Sequence, residues 1–138
     1  KRHLMVDKKA VVPVQCKIGG TVCSDDDIHR RYECVTKPEE CDPTEQARLS
    51  KMTFYVDKSY KEDGSDDKFL VEPLHKELKS RVQEHRELLE SMGQTWKGAA
   101  TIISDSDIPF RMIAEVIYTS SMANLTDMRF AVLKTTLR

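Results

Sequence analysis

Four cysteines carry the most evident chemistry in this sequence. Cys16, Cys23, Cys34 and Cys41 all lie in the first third of the chain, with six, ten and six residues between neighbours. An even number of thiols confined to one segment serves either disulfides or a metal site. Zinc sites draw their cysteines from knuckles with two to four intervening residues, and no pair here is that close. In "VQCKIGGTVC" the first two cysteines stand symmetrically about Gly19-Gly20. Glycine adopts, without steric cost, the positive φ that tight two-residue hairpin turns require. Such a hairpin sets Ile18 opposite Thr21, Lys17 opposite Val22, and Cys16 opposite Cys23. Facing residues of an antiparallel pair have Cα atoms about 4.5–5.5 Å apart, within disulfide reach. The geometry therefore points to a Cys16–Cys23 bridge. Cys34–Cys41 follows only by elimination, because four cysteines allow three connectivities, and buried free thiols are the competing reading. Disulfides imply an oxidising space, either a periplasm or the cell exterior.

Other reactive residue types do not converge. Asp105 and Asp107 stand two apart at a strand-to-helix junction, a place where α/β folds often bind ligands. Carboxylates there are also common helix caps, and capping is the simpler expectation. Asp25, Asp26 and Asp27 lack the interior Gly and terminal Glu of a calcium loop, so they read as a solvated acidic turn. His75 and His85 share a helix with no Cys or Asp partner at ligand spacing. Ser120-Ser121 and Thr135-Thr136 have no identifiable base, and no serine elbow, glycine-rich phosphate loop or paired-histidine motif occurs. The expectation is a protein that is not an enzyme and uses no metal and no cofactor.

The elements that would position these residues follow from periodicity. The chain has 138 residues, 39% hydrophobic and 33% charged, with 22 basic against 23 acidic side chains. That describes a globular domain able to bury a core, without the basic excess of a nucleic-acid binder. No apolar run approaches the roughly 20 residues that span a bilayer. The first residue is Lys, so the chain reads as a piece of something longer, with any membrane or export segment removed.

Residues 1–50 read as irregular, with strand candidates at "AVVPVQC" and "TVC" and a helical turn at "SDDDIHRRYE" that Ser24 or an Asp caps. "MTFYVDKSY" and "KFLVEP" read as two strands of a hairpin around the polar tip "KEDGSDD". From Pro73 a helix is expected, with Leu74, Leu78, Val82, His85, Leu89 and Met92 as its apolar stripe and Gly93 as its stop. "GAATIIS" reads as a strand buried on both faces. A helix with the stripe Phe110, Ile113, Val116 and Ile117 follows, ending at Asn124. "DMRFAVLKTTL" closes as a strand with Phe130, Val132 and Lys134 on one face. Strand–helix–strand over 99–135 is a crossover, which makes its two strands parallel if they share a sheet. The expected fold is α+β: a two-layer sandwich with two main helices on one face of a mixed β-sheet, preceded by a disulfide-containing N-terminal extension. The expected division is an extension over 1–50 and a domain over 51–138.

The segment from "DKFLVEPLHKELKSRVQEH" through "ATIISDSDIPFRMIAEVIYTSSMANLTDMRFAVLK" resembles the periplasmic domain of ExbD/TolR proteins. That family's domain reads hairpin, helix, apolar strand, short acidic turn, a "V-P-Y/F" element, helix and last strand. Its counterparts here are "ATIISDSD", "IPF" at 108–110, "MIAEVIY" at 112–118 and "RFAVL" at 129–133, within a match over roughly 52–135. Asp105, Asp107, Pro109 and Phe110 form the family-motif helix start. This chain departs from the family in its longer, Gly-free "SSMANLTDM" and in the cysteine-bearing residues 1–50.

The resemblance implies an inner-membrane protein with one N-terminal spanning helix, whose aspartate takes part in proton-driven force generation. It implies an ExbB/TolQ-like channel subunit as partner, a homodimeric periplasmic domain, and engagement of a TonB- or TolA-like transducer or of peptidoglycan. Arg129, Phe130, Ala131, Val132 and Leu133, on the final strand, are the expected dimer or partner edge. The alternative from a different class is a periplasmic or secreted ligand-binding module, taking a small anion or glycan near Asp105–Pro109 or in the disulfide-rich segment.

Overall fold

A computed structural model of the chain describes residues 2–133. It opens on a hairpin of β1 (His3–Val6) and β2 (Lys9–Pro13), turning through Asp7 in the left-handed region at φ 54°. Register slips between Leu4 and Met5, a bulge that bends the strand. The second hairpin forms as its Gly-Gly pair predicts. In it β3 (Gln15–Ile18) meets β4 (Thr21–Val22), with Gly19 at φ 59° and Gly20 at φ 101°. The Cys16–Cys23 disulfide spans it with Cα atoms 5.5 Å apart.

The segment expected to be irregular is more ordered than its composition suggests. Ser24 caps α1 (Asp25–Thr36) through a reciprocal capping box with Asp27, turning the expected single turn into twelve helical residues. A second helix, α2 (Pro43–Leu49), starts at the Asp42 cap with Pro at an early helical position. The Cys34–Cys41 disulfide joins the end of α1 to the approach to α2. Both cysteine pairs are thus bridged, and among the described residues no cysteine is free.

The expected hairpin of "MTFYVDKSY" with "KFLVEP" does not form. β5 (Met52–Tyr55) pairs antiparallel with β3 instead, setting Cys16 opposite Phe54, and "KFLVEP" contributes only an isolated bridge between Lys61 and Val71. The apolar inner face of β3 competes successfully for β5, because Phe54 is then fully buried. The tip "KEDGSDD" contains a 3-10 turn at Glu62–Gly64, preceded by another at Lys58–Tyr60, rather than a hairpin loop.

Helix α3 (Glu72–Ser91) starts with Pro73 in its first turn and stops in a Schellman motif. Gly93, at φ 74°, donates to the Glu90 carbonyl, and Gln94 donates to that of Leu89. Only the N-terminal half of its stripe packs: Leu74 and Val82 are buried, while Leu88 and Met92 project into solvent. β6 (Ala99–Asp105), α4 (Phe110–Met122) and β7 (Asp127–Leu133) complete the chain. β6 and β7 are parallel, as the crossover length requires. Asn124 occupies the left-handed region at φ 67° after α4. Lys134 and Thr135-Thr136 lie outside the described residues.

The fold is α+β with a disulfide-containing N-terminal region. Among the described residues its strands are divided among three sheets, β1-β2, β4-β3-β5 and β6-β7, rather than hydrogen-bonded into one. One core nevertheless runs through both halves of the sequence: Val6, Val12, Cys16, Cys34 and Leu49 pack in the same cluster as Phe54, Leu74 and Met112. Residues 1–50 therefore share the core of the rest instead of forming a layer outside it.

Candidate partner-binding surface

The β6–α4–β7 unit holds every residue expected at the helix start and at the partner edge. Gly98 leads into it at φ 68°, where a Cβ would lie 2.9 Å from Thr126 Oγ1 and 3.1 Å from the Asn124 carbonyl oxygen. That close approach lets the Gly98 carbonyl accept from both Thr126 and Asp127 amides, which sets the register of the two strands. The pairing then runs from Ala99 opposite Asp127 to Asp105 opposite Leu133.

Parallel strands are normally covered on both faces. Here they are not. Along β6 the half-buried Ala100, Ile102 and Ser104 alternate with exposed Thr101, Ile103 and Asp105, correcting the expectation of a strand buried on both faces. β7 is more open still, with Phe130 53%, Val132 65% and Leu133 54% exposed. Arg129 before them and Ala131 between them are exposed as well. The expected partner edge is an apolar ribbon facing solvent.

The helix start differs from expectation in its chemistry. Pro109 occupies the N-cap position and no side chain caps α4. Asp105 ends β6, where its carbonyl accepts from the Ile108 amide, and the Ser106 amide donates to the Leu133 carbonyl. Asp107 turns away from the helix toward two arginines. Arg2 reaches both carboxylate oxygens, its Nη1 3.3 Å from Oδ1 and its Nη2 3.2 Å from Oδ2, and Arg31 Nη1 lies 3.1 Å from Oδ2. Both guanidinium groups also lie over the buried Phe54 ring, at 4.2 and 5.8 Å. The cluster therefore joins the start of the chain and α1 to the turn before α4. Phe110, expected on the apolar stripe, is 75% exposed. The buried face of α4 is instead Met112, Glu115, Thr119 and Ser120.

Burial pushes the Asp107 carboxyl up, but hydrogen bonds and charge from Arg2 and Arg31 more than offset this, so its pKa lies below the ordinary aspartate value. A carboxylate depressed on folding contributes stability that is complete above its unfolded pKa, about 3.9, and is lost as pH falls through the folded value. Asp107→Asn is expected to cost about 1–2 kcal/mol at neutral pH, a charge-assisted figure reduced for the partly exposed arginines. Urea titrations from pH 7 down to pH 2 check it: the gap between wild type and variant closes at the acid end, and a pH-independent gap contradicts the ion-pair account.

Sequence reading missed Arg2, Arg31, Lys61 and Glu115. Glu115 is 1% exposed, and its Oε2 accepts from Lys61 Nζ at 2.5 Å and Arg111 Nε at 3.2 Å. Arg111 also donates to the Asp66 and Lys68 carbonyls and stacks over Phe69, 4.2 Å from its centroid. Thr119 Oγ1 accepts from the Val71 amide and donates to the Phe69 carbonyl. The segment between β5 and α3 is thus fastened to α4. The available signal was a lone Glu inside "MIAEVIY", with Arg111 four residues before it.

Among the described residues no cluster of three or more His, Cys, Asp or Glu side chains is arranged to hold a metal, and no helix is long and apolar enough to cross a membrane. No family model, curated protein or solved structure matches this chain.

Proposed function

We propose that this chain is the periplasmic domain of an ExbD/TolR-like subunit in a proton-motive-force-driven inner-membrane motor, passing force to envelope partners through its surfaces. One observation carries the reading: helix, strand, acidic turn, Pro-Phe helix and parallel last strand follow one another as α3, β6, α4 and β7, while β3, β4, α1, α2 and β5 stand between them and the hairpin that precedes. The hairpin is β1–β2 rather than residues 52–73, and α3, β6, α4 and β7 supply the remainder. In this reading residues 14–71, with both disulfides, are an insertion between the hairpin and α3 rather than an extension ahead of the domain. The disulfides support an oxidising compartment.

The open β6–β7 ribbon supports a homotypic or transducer contact at Arg129–Leu133, since parallel strands exposing Ile103, Phe130 and Val132 favour burial against another surface. Anion or glycan binding near Asp105–Pro109 has less support. The Ser106 and Ile108 amides already donate to carbonyls, and Arg2 and Arg31 are taken up by Asp107. The full-length gene product tests the proposal. The expected result is a single upstream apolar helix of about 20 residues carrying one Asp, and co-purification from membranes with a polytopic channel subunit. A cleaved signal peptide with no retained anchor overturns it.

A further inference from the structure

We infer that the slot between β1 and β6 is a binding site for an extended peptide segment of a partner protein, which enters as an added strand. β1 hydrogen-bonds only to β2, and β6 only to β7, so each presents one unpaired strand edge among the described residues. Both strands line one groove, to which β2 contributes no residue. The groove, of about 990 Å³, is lined by all four residues of β1 and all seven of β6, together with residues of α3 and α4. Its floor is apolar, formed by Leu78 and Val82 of α3 with Met112, Ile113 and Val116 of α4.

The walls run in opposite directions. Arg2, at the start of β1, is tied to Asp107, just beyond the end of β6. Asp7, at the far end of β1, is held by Arg81 of α3. Side-chain bridges thus hold β1 at both ends, where a continuous sheet would have main-chain hydrogen bonds to β6.

The occupant follows from this chemistry. Unpaired N–H and C=O groups on both walls match the main chain of an extended peptide, the mode in which backbone bonds give affinity and alternate side-chain pockets give specificity. Because β1 and β6 are antiparallel, an added strand lies parallel to one wall and antiparallel to the other. It completes a five-stranded order β2-β1-peptide-β6-β7. Side chains alternate across a strand, so every second residue meets the Leu78–Met112 floor and must be uncharged and apolar, while the others face outward. β6 offers seven residues of edge, setting the segment's length. This site lies on the opposite edge of β6 from β7, and it does not depend on the motor assignment.

The probe is an end-blocked peptide, Lys-Thr-Val-Thr-Val-Thr-Val-Lys, titrated into the intact disulfide-bonded protein. The expected result is saturable binding that slows amide exchange along both 3–6 and 99–105. N-methylation of the peptide at two alternate residues should weaken binding by about tenfold, since two main-chain hydrogen bonds are lost. An N-methylated peptide that binds equally well overturns strand addition. Protection appearing along 127–133 alone overturns the location. Full protection of 99–105 in the free monomer means that β1 closes directly on β6, and protection that rises with protein concentration alone means that a second copy fills the slot. Either result overturns a partner peptide as occupant.

Discussion

Glu115→Leu is expected to destabilise the domain by about 3–5 kcal/mol, whereas the double variant Lys61→Met/Glu115→Leu recovers most of that loss. The asymmetry comes from burial. Lys61 and Glu115 are 6% and 1% exposed, so both charges have left water and each is compensated chiefly by the other. Removing the carboxylate strands a buried ammonium, because its second partner, Asp66, lies 4.0 Å away on an exposed side chain. Removing both charges leaves an apolar pair of similar volume, which buried sites accept at little cost. Arg111 is a lesser concern, being half exposed and holding the Asp66 and Lys68 carbonyls and the Phe69 ring without Glu115. Urea denaturation of the wild type, both single variants and the double variant gives the coupling directly. A double variant as unstable as Glu115→Leu would show that the pair is held by something other than mutual charge compensation.

That pair also marks the limit of what pattern reading reaches. Local rules located elements whose determinants lie within a few residues: the Gly19-Gly20 hairpin, the Pro73 start and Gly93 stop of α3, and the strand–helix–strand crossover at the end. The α+β class follows from these. Pairing between distant strands was not legible. β5 had a near candidate partner in "KFLVEP" and a distant one in β3, and the choice rests on how Phe54 packs beneath Arg2 and Arg31. β1, with only "HLMV" to signal it, passed unnoticed for the same reason.

The candidate surface divides in the same way. Arg129–Leu133 lies on a strand whose one hydrogen-bonded neighbour among the described residues is β6, and β6 itself has a free edge in the same way. Asp107 stood out at its junction, but its role depended on arginines 76 and 105 residues away in sequence. Helix periodicity misassigned Phe110 for a related reason. A stripe counts apolar residues without knowing which face the tertiary structure covers, and α4 turns Glu115 inward instead. Here tertiary charge pairing overrides the local pattern, burying Glu115 and leaving Phe110 exposed.

Removing both disulfides is expected to cost about 5 kcal/mol, comparable with the whole stability of a marginal domain. Each bridge joins cysteines seven positions apart, and closing so short a loop is worth about 2–3 kcal/mol on chain-entropy grounds. The two should not be equal in practice. The Gly19-Gly20 turn, the Cys23 amide bonded to the Cys16 carbonyl and the β3–β5 pairing already hold the first loop closed. The second bridge has no strand ladder behind it. It fixes the end of α1, which has no basic residue in its last turn, and both of its sulfurs belong to the buried core. Cys34→Ser/Cys41→Ser should therefore lower the melting temperature more than Cys16→Ser/Cys23→Ser, by about 10 °C against a smaller shift. Reductant should bring the wild type down to the level of the quadruple variant. A domain that loses this much on reduction keeps its core best in an oxidising compartment, which agrees with the compartment proposed above. A melting temperature unmoved by reductant would remove that argument for the compartment, and with it the independent support for the motor reading.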